Sequence, residues 1–211
     1  MKRPLAAAAA ILTAVTMTAC SGNAPTATVR KNGAESDTAT CGMKIAFPEG
    51  WTVLTGDDIY EKILADNDTG YSDAESLKSA YEKNGSSYIF YAENADKSAQ
   101  MNITALEITT DENGAGQLSL EEYAQTNHND TLLGFQIDGY TLDNTGFTPM
   151  NIGGNDGFLS QCDVYTDDTL LMGQQEFTFE YGGCFCSLQV YYHTADTGVQ
   201  VSAIIDGITA G

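Results

Sequence analysis

The sequence predicts an α+β fold, an antiparallel β-sheet meander flanked by helices in an α/β/α sandwich. Three observations carry this. The segments run in the order strand, helices, two strands, helix, four strands, helix, for which a sheet covered by helices is the natural solution. The C-terminal third alternates apolar and polar residues between glycine turns, the period of strands rather than helices. The 211 residues are 42% apolar and 9% aromatic, enough to build one core and too rich for a disordered chain.

The N-terminus reads as an address. Lys2 and Arg3 precede an apolar run from Leu5 to Ala19, too short for a spanning helix and suited to a secretory signal. It closes on Met17-Thr18-Ala19-Cys20, which resembles a bacterial lipobox, with Met17 in place of the more usual Leu. The resemblance implies a signal peptide over 1–19, removed by cleavage before Cys20, and lipid attachment to the Cys20 sulfur. Residues 20–40 are rich in Ser, Gly, Asn, Ala and Thr without apolar periodicity, so a flexible tether is expected there. Residues 41–211 form the single folded domain.

Within that domain Met43, Ile45 and Phe47 alternate as a strand that stops at Pro48-Glu49-Gly50, and Trp51 resumes the apolar pattern. Asp57 is placed to cap a short helix carrying Ile59, Tyr60, Ile63 and Leu64. Ser72 with Glu75 reads as a capping box for a second helix, whose stripe is Ala74, Leu77, Ala80 and Tyr81 and whose stop is Gly85. Strands over 87–93 and 100–109 follow, then the Asp111-to-Gly116 loop. Ser119 with Glu122 is the second capping box, opening a helix to about Leu133. Strands near 140–152 and 157–166 are divided by Gly153-Gly154.

Gly182-Gly183 then suits a two-residue hairpin turn. That turn sets Tyr181 opposite Cys184, Phe179 opposite Cys186 and Phe177 opposite Leu188, with Glu176, Thr178 and Glu180 on a polar face that is expected to point away from the core. A last helix from about Ala195 carries Val199, Ala203 and Ile204.

The segment Ile45-Ala46-Phe47-Pro48-Glu49-Gly50-Trp51, with the element order that follows it, resembles the opening of Mog1/PsbP-like lipoprotein domains. The resemblance implies their α/β/α sandwich over about residues 43–209. It also implies a binding or assembly factor, and it transfers no functional residue to this chain.

Chemistry is sparse. A net charge of −20 opposes phosphate backbones and anionic headgroups, which excludes nucleic acid as a partner. Neither His128 nor His193 has a ligand at metal spacing, and both are expected to face solvent. Asp66-Asn67-Asp68-Thr69-Gly70 alternates oxygen donors as a calcium loop does, but the twelfth position is Leu77 rather than Glu, so a turn is expected. Asp57-Asp58, Glu121-Glu122 and Asp167-Asp168 are neighbours by composition. No catalytic, cofactor or metal residue is assigned, and no cofactor is expected.

Cys41, Cys162, Cys184 and Cys186 remain beside Cys20. Export favours disulfides, of which four cysteines allow three pairings; the apolar-face parity of Cys184 and Cys186 suits buried thiols. Both readings stand at this point. The function expected is a surface-anchored, non-catalytic binding or interaction module on the extracytoplasmic face of the membrane. It would be held by its lipid and would engage a protein or small ligand. A cell-surface hydrolase of envelope or dietary polymer is the rival, and an immunity- or inhibitor-type lipoprotein the third reading.

Overall fold

The computed structural model describes residues 25–33, 35–67, 69–108 and 118–211. The predicted signal peptide, Cys20, Asp68 and the Asp111-to-Gly116 loop lie outside these. Among the described residues eleven strands and four helices are formed: β1 (Ala27–Asn32), β2 (Glu35–Thr40), β3 (Met43–Phe47), β4 (Thr52–Thr55), α1 (Asp57–Asp66), α2 (Ala74–Lys83), β5 (Ser86–Glu93), β6 (Ala99–Glu107), α3 (Leu120–Ile137), β7 (Thr141–Ile152), β8 (Asn155–Thr166), β9 (Thr169–Tyr181), β10 (Cys184–Tyr192), α4 (Ala195–Asp206) and β11 (Thr209–Ala210). The fold is α+β, with antiparallel pairing throughout the sheets.

The strands divide between two sheets. The larger runs β4-β5-β6-β10-β9-β8-β7 and the smaller β1-β2-β3-β11. One face of the large sheet packs on the small one and on α4: Met43, Ile45 and Phe47 of β3, Phe90, Met101, Ile103, Phe177, Phe179, Cys186 and Leu188 of the large sheet, and Val201 and Ile204 of α4 form one buried cluster. Each large side chain removed from water there contributes roughly 1.5–3 kcal/mol. The opposite face carries α1, α2 and α3, through Tyr60 against Tyr88 and Tyr123 stacked on Phe185.

Several expectations are corrected. Residues 27–40 are not a tether: β1 and β2 form a hairpin that extends the small sheet through β3. The buried residues of β2 are Ser36, Thr38 and Thr40, which alternate with period two but carry hydroxyls. Asp57 does not cap α1. Gly56 occupies that position without a side-chain bond, and Asp57, already helical, pairs with Lys78 at 2.7 Å. At α2 the cap is Asp73, whose carboxylate accepts from the Ser76 N–H at 2.8 Å, while Ser72 donates to Asp73. A carboxylate one residue on displaces the hydroxyl expected as cap. The Ser119–Glu122 capping box forms as expected, and α3 continues past Leu133 to Ile137. In α4 the buried side is Thr197, Val201 and Ile204, whereas Val199 is 72% exposed and Ala203 is exposed.

The β9–β10 hairpin has the expected register, Tyr181 opposite Cys184 through Gly173 opposite Tyr192, with Phe177, Phe179, Cys186 and Leu188 buried. The other face of this hairpin is a correction. Thr178, Ser187 and Glu176 are buried as well, because α3 lies over that side.

Candidate functional site

Pairing across four strands aligns one row of polar side chains on the helix-covered face: Ser160 of β8, Glu176 of β9, Gln189 of β10 and Asn102 of β6. Residues paired across antiparallel strands share a face, so the row follows from register alone. From above, α3 adds His128, whose Nδ1 lies 2.7 Å from Ser160 Oγ. His128 is buried and not solvent-facing, contrary to expectation, and burial lowers its pKa, so the ring is neutral near pH 7. The spacing of Ala124, His128, Leu132 and Phe135 is the signal that could have placed it on the packing face. Three of these are buried, and Leu132 packs with Phe135.

Ser160 and His128 make two members of a nucleophile–base pair. The third member of such a set would be a carboxylate on the imidazole. Glu176 is the nearest by register, set between Ser160 on one side and Gln189 on the other, and it is buried. Burial raises the Glu176 pKa, so the protein holds this carboxyl toward its protonated form. The sign of its effect on stability follows. A raised folded-state pKa gives a contribution that is complete below the ordinary value of 4.5 and is lost as pH climbs toward the folded-state value. Glu176→Gln is therefore expected to match the wild type in urea unfolding at about pH 4 and exceed it at about pH 7. Parallel pH profiles for the two proteins would show that Glu176 is not desolvated. Glu180, at the same parity, is exposed as expected.

The other sequence candidates are structural. His193 is exposed, and its Nδ1 donates to the Leu171 carbonyl at 2.9 Å. Asp66, in the calcium-like run, is bound by Lys62 at 2.6 Å and Lys97 at 3.3 Å, and these cations lower its pKa. Among the described residues no group of three or more His, Cys, Asp or Glu is disposed to hold a metal. Glu122 is consumed by the α3 cap, and Asp167 and Asp168 form the β8–β9 turn. Cys41, Cys162, Cys184 and Cys186 are buried free thiols, Cys162 under α3 and the others in the main core.

Two grooves open to solvent. One of about 340 Å³ lies between α4 and the β8–β9 end, lined by Asp163, Tyr165, Leu170, Tyr192 and Val199; Tyr192 donates to Asp163 at 2.9 Å. The other, about 450 Å³, runs along β7, the outermost strand of the large sheet, and is lined by Leu120, Pro149, Met150, Gly157 and Phe158 with Asn151 and Asp156 at one side. Met150 is 43% exposed, and Leu118, just ahead of α3, is 46% exposed. Its lining is mostly apolar, and Phe158 stacks on Phe147 within the sheet. Neither groove is lined by Ser160, His128 or Glu176. Sequence reasoning missed both grooves, since each joins residues from elements far apart in the chain.

No protein-family model matches the chain, and no curated protein is significantly similar to it. Among solved structures the chain is similar to the cyanobacterial PsbP (CyanoP) of Synechocystis sp. PCC 6803, at 10% identity and a TM-score of 0.46, over 92% of this chain and 99% of that one. It is also similar to LpqN, described as involved in cell envelope biogenesis of Mycobacterium tuberculosis, at 10% identity and a TM-score of 0.43, over 89% and 91%. No functional residue passes from either to this chain.

Proposed function

We propose that the protein is a bacterial lipoprotein held on the extracytoplasmic face of the cell membrane by lipid on Cys20, and that its domain is a non-catalytic interaction module. The observation that supports this reading is the open apolar groove along β7, lined by Leu120, Pro149, Phe158 and the 43% exposed Met150. An outermost strand with apolar sockets at its edge suits an extended polypeptide, which adds main-chain hydrogen bonds to the edge and side chains to the sockets. Pro149 and the register shift between Asp143 and Gly146 interrupt that edge, which opposes indiscriminate strand pairing.

A photo-crosslinking side chain placed at Met150 in living cells is expected to give one discrete envelope adduct, lost when Leu120→Asp charges the groove. A diffuse or absent adduct would count against the groove. The Ser160–His128 pair favours the hydrolase as second reading. Hydrolysis of an envelope polymer by the purified protein, abolished by Ser160→Ala, would establish that reading in place of the first.

The anchor has its own test. Cys20→Ala is expected to leave an unprocessed precursor or release the protein to the medium, because the diacylglyceryl group supplies the two chains that stable attachment needs. A variant still processed and membrane-bound would refute the lipid on Cys20.

A further inference from the structure

All 9 Lys and Arg of the chain lie at or before Lys97, and more than half of its 29 Asp and Glu lie after it. The topology turns this asymmetry of sequence into one of space. Among the described residues the cations belong to β1, β3, α1, α2 and the β5–β6 turn. These are the small sheet and one end of the large one. By contrast, α3, α4 and strands β7 to β10 carry carboxylates and no Lys or Arg. The ion pairs among the described residues follow the same division: Lys62 with Asp66 and Glu93, Lys78 with Asp57 and Glu82, and Lys97 with Asp66. At the β7 end Asp143 stands opposite Asp163 across β7 and β8, an unfavourable placement of like charges. The groove along β7 lies in this cation-free half. Asp156 lines it and is exposed, accepting from Asn151 Nδ2 at 2.8 Å, and the exposed Glu121 follows Leu120.

The backbone of that edge is fixed by register. Gly153-Gly154 is a two-residue turn with both φ positive, 58° and 86°, so Ile152 and Asn155 close the ladder as a hydrogen-bonded pair. Bonded and non-bonded pairs alternate from there, which leaves Phe147, Pro149 and Asn151 with their backbone groups directed away from β8. Pro149, having no N–H, stands where the ladder needs none. We propose that the groove binds an extended cationic polypeptide. Its main chain pairs with Phe147 and Asn151, and a Lys or Arg side chain lays its stem over Pro149 and Phe158 and carries its charge to Asp156. The inference rests on the interaction-module reading and adds the partner's charge and its alignment on the edge. A long cationic side chain suits this lining because its stem is apolar and its head is charged. A second copy of the chain is the wrong occupant, since it would bring a net charge of −20 and the same carboxylates to the edge. An acidic peptide would meet the same repulsion.

The test titrates the full chain with short fluorescent peptides of three compositions: lysine alternating with valine, glutamate alternating with valine, and lysine alternating with serine. The first is expected to bind saturably and to weaken as salt rises, the second not to bind, and the third to bind more weakly than the first. Asp156→Asn combined with Glu121→Gln should weaken the lysine–valine peptide by up to about tenfold, the scale of two exposed charge pairs. Leu120→Ser should weaken it without any change of charge. Asp58→Asn combined with Glu75→Gln makes the same charge change on α1 and α2 and should leave the affinity as it is. Binding should also slow amide exchange at Phe147 and Asn151. Equal loss in the two charge variants would show attraction by the whole molecule rather than by the groove, and would overturn the proposal. So would protection confined to another strand, equal binding of the glutamate–valine peptide, or self-association of the chain that the groove variants abolish. A discrete Met150 adduct in cells beside a lysine–valine peptide that fails to bind would leave the groove reading standing and refute the cationic partner.

Discussion

Gly157→Ala is expected to lower the folding free energy by about 3 kcal/mol, the upper end of the usual range for an overpacked core. Gly157 lies in β8 opposite Phe179 of β9 and Met150 of β7. A Cβ there would overlap the Thr178 carbonyl oxygen and press on the Phe177 ring at 2.8 and 2.9 Å. The carbonyl belongs to the backbone of β9 and cannot turn aside as a side chain could. Relief would therefore require the β8–β9 ladder to open, and Phe177 and Phe179 are both fully buried below it. Gly146→Ala is the control, since the added carbon would meet the Gln161 side chain at 3.1 Å, a flexible neighbour that can move. Urea titration should show a lower midpoint for the first variant and a near-native one for the second. Equal midpoints would mean that the strands are not packed as closely at Gly157 as the structure has them.

The same two strands show what the sequence could and could not reveal. Alternation and the Gly182-Gly183 turn were enough to give the register of β9 with β10, because a slip of one residue would have turned Phe177 and Phe179 outward. Alternation states which residues share a face but not what covers it. Glu176, Thr178 and Ser187 therefore read as solvent-facing, although α3, some 40 residues earlier in the chain, is folded over them. The hairpin over 27–40 escaped notice for a related reason. Its inward residues, Ser36, Thr38 and Thr40, have the period of a strand and the polarity of a linker, and what holds them is pairing with β3. The capping box at Ser119 was legible because both partners lie within four residues. The β7 groove was not, because Leu120, Met150 and Phe158 meet only after the sheet has formed. His128 falls between these cases: its helical spacing was in the sequence, and the polar neighbours Asn127, Asn129 and Asp130 masked it.

Replacing Gly182 and Gly183 together by Val is expected to destabilise the domain by roughly 1–2 kcal/mol per residue, for a reason opposite to that at Gly157. Here there is no steric obstacle from the rest of the protein: a Cβ at either glycine would meet nothing within 4 Å. The cost is in the backbone. Both residues have positive φ, 61° and 79°, the combination a type I′ turn requires between twisted strands and one that β-branched residues resist most strongly. Asn is the discriminating replacement, because its short polar side chain tolerates the left-handed region while adding comparable bulk. The paired Asn substitution should thus recover most of the stability lost with Val. If Asn and Val cost the same, packing rather than conformation is at fault, and the open surroundings of the turn are wrongly drawn. If neither costs anything, the turn does not govern the register of β9 and β10. Cys186 would then owe its place opposite Phe179 to the core alone.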